Sequence, residues 1–176
     1  FSSSFGGQID WIDSGGKSER EEGDRPDRIR NTGAEIAEIA QAAKEMKPIL
    51  VYFYVPPQAS KAEGVTGSDP EAENCTALSE DLWKSKAVAE RSSEFVCIRV
   101  NIRTADPELL ARYQVARGPT ILILGFDLRR IFFSSSGRLS YTTLAKWLDR
   151  AQKLVEAKVK KIAKSAEDTS RGEKPK

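Results

Sequence analysis

Two thiols, Cys75 and Cys97, carry the reactive chemistry of this 176-residue chain, and no histidine stands anywhere to serve them. Without histidine there is no imidazole base, no imidazole metal ligand and no Ser/His or Cys/His nucleophile pair. Redox chemistry remains open to a cysteine, either with a second thiol in reach or as a lone thiol of lowered pKa. Two cysteines are too few for a disulfide scaffold, and they do not reveal a compartment. Glu63, Asp69, Glu71 and Glu73 crowd one stretch, but not at the spacing of an Asp/Asn-rich calcium loop. That stretch is read as a solvated acidic loop, and no metal or cofactor is expected.

With 28 Lys or Arg against 26 Asp or Glu, the net charge is only +2. Nucleic acid is therefore not an expected partner on global charge. The excess collects at the C-terminus, where Arg150 to Lys176 holds 9 basic and 4 acidic residues. Lys153, Lys158, Lys160, Lys161 and Lys164 read as a solvated helix face diluted by Glu156, Glu167 and Asp168. No apolar run approaches the roughly 20 residues that cross a bilayer, so no integral membrane segment is expected. The first residue is Phe1 and not Met, which fits a leader either cleaved or left off this sequence and leans weakly toward an exported or periplasmic location.

The length suits one globular domain with tails. Residues 1–33 read as a mostly irregular arm, because five positive and five negative charges between Lys17 and Arg30 and many Gly and Ser leave little apolar surface to offset ordering. Ile9, Trp11 and Ile12 are its docking part. Residues 34–164 read as the domain, and 165–176 as a disordered basic tail. Ile36, Ile39, Ala40, Ala43 and Met46 have the spacing of an amphipathic helix ended by Pro48. Ile49 to Val55 is an apolar β-branched and aromatic run, a central strand buried on both faces. A long loop, Pro56 to Asn74, follows, and loops of that length are usually functional. Cys75 to Trp83 and Ser85 to Ser92 read as one broken helix with Trp83 in the core. Phe95 to Ile102 is a second strand. Asp106 and Pro107 open a short helix, and Thr120 to Leu124 with Arg130 to Ser134 form a hairpin. The last helix runs from about Ser140 to Lys164, with Trp147 inward. Right-handed crossovers then build a central mixed sheet flanked by helices, an α/β fold.

Three local matches in this order resemble the thioredoxin-like superfamily over about half of the chain. Lys47 to Phe53 is similar to the strand leading into the redox loop. Arg99 to Ile102, with Pro107 to Leu109 and Tyr113 to Val115, is similar to the second strand and its helix. Val115 to Thr120 is similar to the loop in which the family carries a cis proline. The resemblance implies a C-x-x-C site at the start of the helix after the first strand, and there Cys75 stands at the second position with Ala72 at the nucleophile position. Cys97 lies early in its strand, about 13 Å along it from the site near Asn101 at roughly 3.3 Å per residue, while a disulfide needs Cα atoms within about 7 Å. The segment Cys75 to Trp83 is also similar to UAS domains, which are redox-inactive, and Trp11 with Ala43, Lys44, Lys47 and Pro48 is similar to single-domain bacterial thioredoxin-like proteins.

The expected function is therefore a non-catalytic thioredoxin-like module that binds a protein or peptide client at a surface made by the long loop, Ala72, Cys75, Arg117, Gly118 and Pro119. At that turn an open strand end would offer backbone groups for strand addition. The alternative is a monothiol redox protein in which Cys75 forms mixed disulfides. A third reading makes the arm and tail tethers of a scaffold. Cys75 packed beneath the long loop favours the first reading, and an accessible thiol of low pKa favours the second.

Overall fold

The computed structural model describes residues 9, 11–14, 42–57, 69–128 and 130–172. Most of the arm, the first helix up to residue 41 and residues 58–68 of the long loop lie outside the described residues. Of that first helix, 42–45 are seen as a helical turn, with Ala42 buried beneath the sheet.

Five strands make one sheet in the order β1-β3-β2-β4-β5. They are β1 (Trp11–Ser14), β2 (Ile49–Tyr54), β3 (Val96–Asn101), β4 (Thr120–Leu124) and β5 (Ile131–Ser136). β3 runs parallel to both of its neighbours, whereas β4 is antiparallel to β2 and β5. The helices are α1 (Pro70–Trp83), α2 (Lys86–Ser92), α3 (Pro107–Arg112) and α4 (Tyr141–Gly172). This is the expected α/β architecture, a mixed sheet flanked by helices.

Because side chains alternate along a strand, β2 feeds two cores. Leu50 and Tyr52 join Ile121 and Ile123 beneath Leu78 and Leu82 of α1, Val88 of α2, and Leu144 and Leu148 of α4. Ile49, Val51 and Phe53 join Ile98, Val100, Leu122 and Leu124 against Leu109 of α3. Cys97 is buried in the first core opposite Leu50. Each such side chain contributes about 1.5–3 kcal/mol by leaving water, so the sheet is a rigid base for whatever stands at its ends.

Four boundaries differ from the sequence reading. Part of the arm is a true strand: β1 pairs with β3, and Arg99 grips Asp13 through two hydrogen bonds of 2.7 and 2.9 Å. Trp11 packs on Trp83 with ring centres 4.8 Å apart, and Trp83 lies 5.1 Å from Tyr52. Second, α1 begins at Pro70 and not at Cys75, because Asp69 accepts from the Glu71 and Ala72 amides as N-cap and Pro70 takes the favoured first turn. Third, β5 runs to Ser136. Fourth, α4 continues to Gly172, past the end expected at Lys164; its polar stretch holds Gln152–Glu156 contact and Ser165 back-bonding to Lys161, both compatible with helix. The break between α1 and α2 at Lys84 and Ser85 is where it was expected.

Candidate functional site

The ends of β2 and β4 nearest α1 bring together four of the five expected site residues. Val55 continues β2, Gly118 and Pro119 precede β4, and α1 lays Ala72 and Cys75 between them at i and i+3, on one helix face. Val55, Ala72 and Cys75 form a small buried cluster of their own. Cys75 therefore sits in the second turn of α1, not at its first residue. Ala72 is 5% exposed and Cys75 3%.

Cys75 is held from three sides, by contacts to its sulfur and to its carbonyl. The Val55 N–H donates to Cys75 Sγ at 3.3 Å. The Tyr52 hydroxyl donates to the Cys75 carbonyl at 3.1 Å and contacts the Ser79 hydroxyl at 3.1 Å. Gly118 closes the third side: a Cβ there would stand 3.1 Å from Cys75 Sγ and 3.1 Å from Ile102 Cδ1. A Cβ here would crowd both neighbours, which would have to give by a few tenths of an ångström. Burial pushes the Cys75 thiol above its ordinary value of 9.0, outweighing the Val55 and Tyr52 hydrogen bonds that oppose it, and Glu71 and Asp69 push it further. Burial also raises the Tyr52 phenol.

The Gly118–Pro119 peptide is cis. Around it the Arg117 carbonyl accepts from the Thr120 hydroxyl at 2.8 Å and the Pro119 carbonyl accepts from the Gly137 N–H at 2.8 Å. Arg117 itself is exposed and stands outside the buried cluster.

The single surface expected from the sequence is divided by α1. On one side Cys75 helps to line a hollow of about 360 Å³ with Tyr52, Tyr54, Thr76, Ser79 and Arg99. On the other side Pro119 lines a hollow of about 380 Å³ with Ala77, Leu78, Asp81, Arg138 and Leu139. Helical spacing explains the split: Thr76 and Ser79 face one way, Ala77, Leu78 and Asp81 the other, and Ala72 and Cys75 point inward. Sequence reasoning missed Asp81, Arg138 and Leu139, which sit on separate elements and meet only through the fold. It also missed Arg103, whose guanidinium pairs with the capping carboxylate of Asp69 and donates to the Pro56 carbonyl at 3.5 Å, tying the loop after β3 to both ends of the long loop.

With this strand order, its parallel and antiparallel pairings and the turn before β4, the fold is thioredoxin-like. The chain matches no family model and no curated protein. Among solved structures it is similar to a DsbH oxidoreductase at 14% identity and a TM-score of 0.49, over 77% of this chain and 94% of that one. It is similar to a thioredoxin from Thermus thermophilus at 18% identity and a TM-score of 0.45, over 67% of this chain and 81% of that one. A disulphide isomerase from Xylella fastidiosa is similar at 14% identity and a TM-score of 0.46, over 73% of this chain and 98% of that one. Among the described residues, no helix is long and apolar enough to cross a membrane.

Proposed function

We propose that this chain is a non-catalytic thioredoxin-like module that holds an extended protein or peptide segment in the hollow beside Pro119. The observation that carries this reading is the state of Cys75. Its sulfur is buried, accepts an amide hydrogen bond, lies against Gly118 and has alanine at the position three residues earlier. A thiol whose pKa is raised is protonated near neutrality, and the thiolate is the attacking species. The hollow on the other side of α1 has an apolar floor of Leu78, Pro119 and Leu139 between the charges of Asp81 and Arg138. Asn74 and Ser140 add polar groups to the same lining, so the hollow offers apolar contact for side chains and hydrogen-bonding partners for the polar groups of a peptide. The neighbouring Arg117 and Pro119 carbonyls each already accept one hydrogen bond, so the side chains lining the hollow carry much of the recognition.

The monothiol reading keeps one supporting observation, the hollow that Cys75 lines with Tyr52 and Ser79. One experiment addresses both. The reaction rate of the native protein with a thiol reagent is followed across pH, with Cys75→Ser to account for Cys97, and peptide capture from a displayed library is compared with that of Ala77→Trp, which fills the hollow beside Pro119 from an exposed helix position. The proposal expects labelling only after denaturation, and capture that Ala77→Trp removes. Fast native labelling with an apparent pKa well below about 8.5 transfers the assignment to the monothiol protein.

A further inference from the structure

At the opposite end of β4, away from the thiol, the turn into β5 and the second half of α4 enclose a third hollow of about 290 Å³. Phe126, Phe132 and Leu154 supply its apolar surface, and Arg130, Lys158 and Lys161 its charged rim. Leu154, Lys158 and Lys161 fall at i, i+4 and i+7, so one face of α4 delivers an apolar wall and two ammonium groups together. Leu154 is 40% exposed, which leaves apolar surface open to water at the mouth. The Lys158 ammonium stands 5.1 Å from the centre of the Phe126 ring, and the Arg130 guanidinium 5.9 Å from that of Phe132.

The lining holds three cationic side chains and one carboxylate, Asp127, which pairs with Lys158. Among the described residues Arg130 and Lys161 form no salt bridge. Two exposed positive charges thus remain beside an apolar floor, and in solvent each adds a modest attraction for an anion. A metal ion or a cationic ligand is repelled by this rim. A wholly apolar ligand would leave the two charges unused. The volume lies at the small end of ligand sites, which begin at roughly 300 Å³.

We propose that this hollow is a binding site for a small amphipathic organic anion, a carboxylate or sulfonate with a one- or two-ring or short aliphatic body. The apolar body covers Leu154 against Phe126 and Phe132, and the charged group meets Arg130 and Lys161. The site stands at the other end of the sheet from the hollow beside Pro119, so it holds whether or not that hollow takes a peptide.

The test uses the full chain at low ionic strength and two fluorescent probes of similar shape, anionic 8-anilinonaphthalene-1-sulfonate and neutral N-phenyl-1-naphthylamine. The anionic probe should bind several-fold more tightly than the neutral one, and should shift the amide resonances of Gly125 to Leu128. Arg130→Gln with Lys161→Gln should weaken the anionic probe roughly five- to tenfold, as expected for losing two exposed charge contacts, and leave the neutral probe unchanged. Both side chains are on the surface, so circular dichroism of the double variant should match that of the parent. Equal binding of the two probes, an unchanged anionic affinity in the double variant, or amide shifts confined to residues away from the 125–128 turn would overturn the assignment.

Discussion

β4 is only five residues long, and its two ends are finished in opposite ways. At the Thr120 end the groups that could react have been enclosed: Cys75 accepts an amide hydrogen bond, Gly118 sits on its sulfur, and Ala72 fills the neighbouring position with a methyl group. At the Leu124 end long cationic side chains stand around aromatic rings and an exposed leucine. The first region is specified by close packing, where a single added carbon is felt. The second is lined by charge at an open rim, where substitutions should cost little stability. One strand thus carries a close-packed thiol at one end and an open, charged rim at the other.

The largest effect that would sharpen this contrast comes from Gly118→Val. Its first added carbon lands 3.1 Å from both Cys75 Sγ and Ile102 Cδ1, and overpacking of this kind should cost about 3 kcal/mol in urea unfolding. In a Cys75→Ala background the cost of Gly118→Ala should fall, and a double-mutant cycle should return a coupling of about 1 kcal/mol. If the two changes simply add, the turn and the thiol are not in contact. Next in size, Cys75→Ala should lose about 2 kcal/mol, since it leaves the Val55 N–H buried without its acceptor. Cys75→Ser keeps an acceptor and should lose less.

Titration gives a third comparison. Burial raises the folded-state pKa of Cys75 above its unfolded 9.0, so the stability it contributes is fully present below that pH and is lost as pH rises toward the folded value; Tyr52 adds a loss of the same sign above 10.0. Asp13 runs the other way: its hydrogen bond with Arg99 lowers its pKa, and its contribution is present above 3.8 and lost as pH falls through the folded value. Because that pair is largely exposed, the acid-side loss should be the smaller of the two. Melting temperatures between pH 7 and 11 should fall in the parent and fall less in Cys75→Ser. The smallest effect belongs to the far end, where Arg130→Gln with Lys161→Gln should move stability by less than about 0.5 kcal/mol. A larger loss in urea unfolding would show that the cationic rim supports the fold.

Much of the frame could be read from residue order. The run Ile49 to Val55 announced a strand buried on both faces, and Asp106–Pro107 announced a helix start. The same dipeptide signal at Asp69–Pro70 opens α1, but the acidic and small residues around it read as a loop, so the sequence alone puts the helix start at Cys75, five residues too late. That shift in phase also concealed how α1 divides the surface, because Ala72 is a helix residue and not a loop residue. β1 was hidden for a different reason. Its four residues carry no alternation, and their order depends on Arg99 holding Asp13 and on rings that come from α1 and β2. The cationic hollow draws its lining from a turn, from Phe132 of β5 and from two turns of a helix farther along the chain. No local pattern records such a meeting.

The edge-on contact of Trp11 with Trp83 at 4.8 Å has a spectroscopic consequence. Two indoles this near and tilted by 74° couple their excited states, so the near-ultraviolet circular dichroism of the whole protein should contain a paired band that vanishes when β1 peels from β3, with Trp147 stacked apart on Phe133 as an internal reference. The attachment of the N-terminal strand can therefore be followed in real time by light alone, without any label.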